Sequence, residues 1–413
     1  MPNRLATLTL RFNGLKPAEL NEQIDRMEIE LQELGLKAGH VVAIRIGSSV
    51  RFIAALFASI RIGAVFCPLN LRLPERAINE QLSTVQPKLL ILESEIKNYT
   101  SAQTSLLPSS FLLFTSGSNN TPKIVNLSLQ NFLAAATSAV KICDFQSQDT
   151  WLLSLPLFHV GGLSILFRAL LANAAVTTNQ SNLEITHLSY VPTQLYRAWP
   201  IYPRLKAILL SGAPIHQIPE QLPIIAAYGM TETASMIIGQ KTPISENNFF
   251  YLGFPQAGKE MSVSPDGEIL IKGDSLFQGY WDGLKLHRPV GWFATGDLGL
   301  FDSAKGFAII GRKDNQFISG GENISPEEIE KIILGYPSII EAIVVAKADE
   351  EFGHRPICFL RSIKQLDRNS LKKFLFDRLP KYKVPCDFFS LDDIPDLGLK
   401  PSRKKLLESL TSK

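Results

Sequence analysis

Residues 18–36 place Leu20, Ile24, Met27, Leu31 and Leu34 at helical spacing with charged residues between them, and Gly35 ends the pattern. That period predicts an amphipathic helix. The run VVAIRI (41–46) reads as a strand, RFIAALFASIRIG (51–63) as a helix closed by Gly63, AVFCPLN (64–70) as a strand and KLLILE (88–93) as another. Strands alternating with helices predict an α/β fold with a parallel sheet. Apolar runs continue at 111–117, 131–143, 151–157, 187–192, 205–212 and 223–229, and several end in a Gly- or Ser-rich turn. Turns at the carboxyl ends of strands are where open α/β sheets hold ligands.

From about residue 250 the pattern shifts to short strands and tight turns, as in SPDGEILIKGD (264–274) and GFAIIG (306–311), which predicts a β-rich subdomain. A break follows at GRKDN (311–315). Beyond it come a helix opened by Ser325-Pro326-Glu327-Glu328, a strand at 342–348 and a helix around 369–379, then PKYKVP (380–385), a last strand and a Lys/Arg-rich tail. Pro at the first helical position followed by Glu is a common helix start. The expected organisation is a large N-terminal domain, residues 1–312, with α/β subdomains and a β-rich subdomain, followed by a small α+β domain, residues 313–413.

The chain's 413 residues suit one large domain plus a smaller one. Forty-two Lys and Arg against 39 Asp and Glu leave a net charge of +3, too mild to indicate a nucleic-acid partner. Cys67, Cys143, Cys358 and Cys386 are far apart, without the paired spacing of a zinc site or the density of a disulfide scaffold. The N-terminus has no apolar stretch of signal-peptide length, and the most apolar segment, Val160 to Val176, carries Arg168 and Asn173. A cytoplasmic protein without a membrane span is therefore expected; the oligomeric state stays open.

Four segments carry candidate chemistry. Thr115-Ser116-Gly117-Ser118-Asn119-Asn120-Thr121-Pro122-Lys123 follows the apolar run FLLF. Small residues let backbone amides approach a polyphosphate, hydroxyls add donors and Lys123 adds a point charge. A Walker A loop would instead run Gly-Lys-Ser/Thr directly into a helix, so an ordinary polar turn is the alternative. In Tyr228-Gly229-Met230-Thr231-Glu232-Thr233, a hydroxyl beside a carboxylate suits phosphate oxygens and Mg2+. In Thr295-Gly296-Asp297, followed by Gly311-Arg312, one carboxylate can accept from two ribose hydroxyls and the guanidinium adds charge-assisted bonds; a turn aspartate is the alternative. The paired glycines of Ser319-Gly320-Gly321-Glu322-Asn323-Ile324 allow close approach to a narrow ligand arm, or form a plain loop.

In this order and spacing, the four segments resemble the acyl-adenylate-forming superfamily of acyl- and aryl-CoA synthetases, adenylation domains and firefly luciferase, over nearly the whole chain. The resemblance implies an enzyme using ATP, Mg2+ and CoA in two steps, acyl-AMP formation and then displacement of AMP by a thiolate. It implies that Thr115, Ser116, Gly117, Ser118 and Lys123 hold the β- and γ-phosphates, that Thr231 contacts phosphate and Glu232 the Mg2+, and that Asp297 and Arg312 bind the ribose. Gly212-Ala213-Pro214, with Tyr228 and Gly229, would frame the adenine. Lys400, in a Lys-x-x-Arg context, would bridge the carboxylate and the α-phosphate, a solvated basic tail being the alternative. Asp314 would be the hinge of a mobile C-terminal domain whose rotation brings Gly320 and Gly321 against the pantetheine arm. The family usually has Thr-Gly where this chain has Asn119-Asn120.

The stretches LPLFHVGG (155–162) and THLSYVPTQLYR (186–197) are similar to those of o-succinylbenzoate-CoA ligases of menaquinone and phylloquinone synthesis. That substrate is a dianion, and its unreacted carboxylate needs a cation in an otherwise apolar pocket. Arg197 is the candidate, with Ser211 and His159 as hydrogen-bonding groups. A CoA ligase for another aromatic or medium-chain acid, or a non-catalytic nucleotide- or acyl-binding relative, are the alternatives.

Overall fold

The computed structural model describes residues 7–99, 110–115, 123–197, 201–212, 215, 218–246, 249–394 and 402–411. The amphipathic segment near the N-terminus forms the helix Pro17–Glu33, which buries Leu20, Ile24, Met27 and Leu31 along one face. A 3.6-residue period puts those four on a single stripe. The helix Val50–Ile62 is capped at its start by the Ser49 side chain, which accepts from the Phe52 amide, and ends at Gly63 in the left-handed region, an arrangement typical of both helix ends.

Two large sheets build the N-terminal part. One runs Leu286–His287, Gly279–Trp281, Lys123–Ser128, Ser110–Thr115, Val65–Pro68, Val41–Ile44, Leu89–Ile91 and Ile96–Asn98 in spatial order. The other runs Arg11–Phe12, Ala175–Thr177, Thr150–Leu152, His187–Tyr190, Ala207–Leu210, Ile224–Met230 and Ser235–Gln240. Helices Pro17–Glu33, Val50–Ile62, Leu129–Cys143 and Val160–Ala172 share one hydrophobic core with both sheets. At its centre Phe132 lies 4.7 Å from both Phe111 and Phe167, ring centre to ring centre.

The expected parallel sheet is present with a correction at its margins. Val41–Ile44 pairs in parallel with both its neighbours, whereas Ser110–Thr115 with Lys123–Ser128, and Ile224–Met230 with Ser235–Gln240, are antiparallel. These two pairs, like Leu89–Ile91 with Ile96–Asn98 and Gly279–Trp281 with Leu286–His287, join strands that follow each other through a short connection, which permits only the antiparallel sense; Gly279–Trp281 is antiparallel to Lys123–Ser128 as well.

A six-stranded antiparallel sheet forms the β-rich subdomain, in the order Ile244–Glu246, Phe249–Tyr251, Gly306–Arg312, Phe293–Asp302, Glu268–Gly273, Lys259–Val263. Two strands from the same stretch of sequence leave it: Gly279–Trp281 and Leu286–His287 extend the eight-stranded sheet instead, Tyr280 lying opposite Val125. Gly279, at φ +140, makes that departure feasible, because a Cβ there would lie 2.4 Å from the His287 carbonyl oxygen.

The small C-terminal domain holds the hairpin Phe317–Ser319 with Glu322–Ile324, the sheet Ile339–Asp349, Gly353–Ser362 and Phe388–Ser390, and helices Pro326–Leu334, Arg368–Phe376 and Arg403–Thr411. The basic tail is thus a helix with an apolar anchor, Leu406, fully buried in a cluster with Val345, Ile357 and Phe359. Among the described residues no helix is long and apolar enough to cross a membrane. The segment Val160–Ala172 is a core helix, and its Arg168 is buried against the Trp151 ring at 4.9 Å.

Candidate active site

Asp297 and Arg312 face each other across adjacent strands of the β-rich sheet. Their side chains join at 2.9 Å between Arg312 Nη1 and Asp297 Oδ1. Tyr228, at the end of a strand in a different sheet, donates its hydroxyl to Asp297 Oδ2 at 2.6 Å. Burial first, and then the Asp297 charge, push the Tyr228 phenol well above its ordinary range, so it remains a neutral donor. The Asp297 amide donates to Thr295 Oγ1 at 3.0 Å, and that hydroxyl donates to the Ile269 carbonyl at 2.9 Å. The carboxylate is therefore held from two sides and its backbone is tied to Thr295, while lone-pair positions stay free, since an ionised carboxylate offers about four.

A second cluster forms around Glu232. A bulge between Tyr228 and Gly229 precedes the single turn Thr231–Thr233, and Ala234 and Ser235 follow with positive φ. Gly229 is required there, because a Cβ would lie 1.7 Å from the Ser235 carbonyl oxygen. The turn is tied internally: Thr233 Oγ1 accepts from the Met230 amide and donates to the Ser235 carbonyl. Glu232 is 7 % exposed and accepts from the Tyr280 hydroxyl at 2.8 Å. The Lys123 ammonium stands over the Tyr280 ring, 5.0 Å from its centre.

The structure therefore brings Lys123, Tyr280 and Glu232 into one chain of contacts, and Tyr228, Asp297 and Arg312 into another, with Gly229, Met230 and Thr231 linking the two in sequence. Thr115 lies opposite Lys123, its hydroxyl donating to the Lys123 carbonyl at 3.4 Å. The loop between them connects two antiparallel strands, and Lys123 opens a strand rather than a helix, unlike a Walker A lysine. Ser116, Gly117, Ser118, Ala213, Pro214 and Lys400 lie outside the described residues, as do Asn119 and Asn120.

Ser211 donates its amide to the Tyr190 carbonyl at 3.1 Å, and Gly212 follows at φ +86. His159 occupies the cap position of helix Val160–Ala172, its ring 4.5 Å from that of Phe158. The residue is exposed, and desolvation by the surrounding protein, and then the Arg72 charge, lower its pKa. Arg197 is the last residue of the helix Pro192–Arg197. Gly320 and Gly321, at φ +58 and +87, sit at the tip of the Phe317–Ile324 hairpin, where the Gly320 amide donates to the Phe352 carbonyl at 2.9 Å. Asp314 lies between two anchors: Arg312 Nη2 approaches it at 3.5 Å, and the neighbouring Lys313 reaches Asp266 at 2.7 Å and Glu268 at 3.0 Å.

Tyr280 is the site residue that sequence reasoning missed. It lies 48 residues from Glu232, in a segment without a nucleotide-binding pattern. Glu268 was equally hidden; its Oε1 accepts from the Gly296 amide at 2.8 Å while Oε2 meets Lys313.

No group of three or more His, Cys, Asp or Glu side chains that could cage a metal occurs among the described residues. Mg2+ is commonly held by one or two carboxylates plus substrate phosphates, and Glu232, with Tyr280 on one oxygen, fits that mode.

The family described as AMP-binding enzyme matches residues 15–110 and 100–281, and its C-terminal domain matches 328–398. The 2-succinylbenzoate–CoA ligase of Salmonella typhimurium is 34% identical, with 96% of this chain and 93% of that protein covered. The ligase of the same name from Escherichia coli is 32% identical over 97% of this chain and 95% of its own length. Among solved structures, a variant of E. coli MenE with bound OSB-AMS superposes with a TM-score of 0.85 at 30% identity, covering 99% of this chain and 96% of that one. MenE from Bacillus subtilis in complex with ATP and magnesium ion gives a TM-score of 0.80 at 25% identity, with 98% of each chain covered.

Proposed function

The chain belongs to the AMP-binding enzyme family, and we propose that it is an ATP-dependent ligase joining 2-succinylbenzoate to CoA through an acyl-adenylate. The observation that carries this reading is the nearly full-length likeness to 2-succinylbenzoate–CoA ligases. Its four cysteines are free thiols, three of them buried, which suits a reducing, cytoplasmic setting.

In the first step an oxygen of the aliphatic carboxylate attacks the α-phosphorus of ATP, and the bond to pyrophosphate breaks. In the second the CoA thiolate attacks the acyl carbon, and the bond to AMP breaks. Asp297 accepts from the ribose hydroxyls on lone pairs that Tyr228 and Arg312 leave open, and those two partners fix its rotamer. Thr231 donates to phosphate, and Gly212, Ala213 and Pro214 border the adenine together with Tyr228. Lys123, with Ser116, Gly117 and Ser118, holds the outer phosphates. Glu232 is the residue that would hold Mg2+, which when bound offsets phosphate charge.

Lys400 lies between the two anions of the first step and offsets their repulsion. Arg197 pairs with the carboxylate that does not react, and His159 and Ser211 bond the same substrate. The domain from residue 313 onward pivots at Asp314 between the steps, bringing Gly320 and Gly321 to the pantetheine arm; a gating rotation of this kind separates the half-reactions in time.

The test is pyrophosphate release with Mg-ATP across a panel of acids including 2-succinylbenzoate, with thioester formation followed by mass after adding CoA. Release and a CoA adduct with 2-succinylbenzoate are expected. Release with other acids alone would keep the chemistry and overturn the substrate, and no release with any acid would overturn the enzymatic reading.

A further inference from the structure

Glu327 and Glu330 lie three residues apart on the helix Pro326–Leu334, and they are only 6 % and 3 % exposed. Carboxylates one turn apart on a helix repel, and burying them removes their hydration. The arrangement holds because a single guanidinium serves both: Arg403 Nη2 donates to Glu327 Oε1 at 3.0 Å and to Glu330 Oε1 at 2.7 Å. The Val344 amide adds a 2.7 Å bond to Glu330 Oε1, and the Asn315 side chain donates to Glu327 Oε1.

The positions of these partners along the chain give the cluster its meaning. Asn315 directly follows Asp314, and Arg403 comes three residues after Lys400. Three residues span at most about 10 Å, so whatever fixes Arg403 limits where the Lys400 backbone can be. Arg403 also opens the last helix, which Leu406 anchors one turn later. Buried ion clusters contribute little net stability compared with apolar packing, so orientation is the better account of this one.

We infer that Arg403 is a positioning residue for adenylate formation: clamped between Glu327 and Glu330, it fixes the segment carrying Lys400 to the helix beside the hinge. This rests on the reading of Lys400 as the cation between the two anions of the first step. The fixed tether removes part of the freedom that Lys400 would otherwise lose when it engages the reacting groups. The second step, for which Lys400 is withdrawn, has no need of it.

The test separates the half-reactions in the full-length enzyme. Arg403→Met is expected to lower kcat for pyrophosphate release about 10- to 100-fold with the KM for ATP within about threefold of wild type. Conversion of synthetic 2-succinylbenzoyl-AMP and CoA to the thioester should stay within about twofold. Arg403→Lys, which keeps the charge without the planar fork, should recover part of the loss, and it replaces the methionine variant as the decisive case should that one fail to fold. Equal losses in both half-reactions, or no loss in the first, would overturn the inference. Lys400→Ala run alongside tells the two failures apart: if it leaves pyrophosphate release unchanged, the reading of Lys400 falls; if it abolishes release while the Arg403 variants do not lower it, only the positioning role falls.

Discussion

The Tyr228 hydroxyl donates to Asp297 Oδ2 at 2.6 Å, across two sheets and from a residue 69 positions away in sequence. Arg312 holds the other oxygen, so the carboxylate has little rotational freedom. Hydrogen bonds to charged groups contribute about 1.5–3 kcal/mol, and Tyr228→Phe removes one without changing the shape of the ring. The expected result is an ATP KM raised about 3- to 10-fold with kcat nearly unchanged. Asp297→Ala should lower kcat/KM for ATP at least about 100-fold, because it removes the acceptor and leaves Arg312, among the described residues, with the longer Asp314 contact. Steady-state pyrophosphate release at varied ATP distinguishes the two; an unchanged KM in Asp297→Ala would remove this residue from the nucleotide site.

Glu232 and Tyr280 form the corresponding pair on the side proposed to hold the phosphates. Glu232→Gln removes the only charge proposed to hold the metal, and the Mg2+ concentration for half-maximal activity should rise about tenfold or more. Tyr280→Phe frees the carboxylate to swing and should give a smaller rise of the same sign. Magnesium titrations at saturating ATP would show it; a Glu232→Gln enzyme with the wild-type magnesium dependence would place the metal elsewhere.

Gly229 permits the bulge that turns the chain from strand into the Thr231–Thr233 turn. Gly229→Ala drives a methyl into the Ser235 carbonyl oxygen, 1.7 Å away if nothing moves. Neither group is a flexible side-chain end, so backbone on both sides must shift, at about 2–3 kcal/mol. A lowered thermal midpoint together with a raised magnesium requirement is expected, because the shift displaces Glu232. A variant with wild-type values of both would show that the bulge is dispensable.

Much of this was legible in the sequence because the signals are local. The helix at Pro17–Glu33 follows from the spacing of Leu20, Ile24, Met27 and Leu31, and the segments around Thr115–Lys123 and Tyr228–Thr233, at strand ends, and Thr295–Asp297, inside the strand Phe293–Asp302, stand out by residue type. The remainder depends on contacts between distant segments. Tyr280 meets Glu232 only because Gly279–Trp281 leaves the β-rich sheet for the eight-stranded one, and no local pattern encodes which sheet a three-residue strand joins. Arg168 interrupts an apolar stretch in the sequence; its hydrogen bonds to Ser189 and Ser235 appear only once three segments are folded together. Arg403 likewise stands in the sequence only as the arginine of the Lys-x-x-Arg context of Lys400, and its partners, the buried Glu327 and Glu330, appear only in the fold.

Glu330 also gives a signature in the pH dependence of stability. Burial is the chief cause that raises its carboxyl to about 7, with the charge of Glu327 adding to the shift while Arg403 and the Val344 amide oppose it. Between the ordinary carboxylate range and that value, the folded protein retains a proton that the unfolded chain has released. Stability from this group therefore falls as pH rises from about 5 to 7, and the loss is complete above that window. Glu330→Gln keeps an oxygen that can accept from Val344 and Arg403 but does not titrate. Relative to wild type, the variant should gain stability between pH 5 and pH 8, on the order of 2 kcal/mol. Thermal midpoints measured at several pH values for both proteins test this, since other titrating groups contribute similarly to each curve. Parallel curves would mean that Arg403 stabilises the charged form of Glu330 enough to cancel the effect of burial.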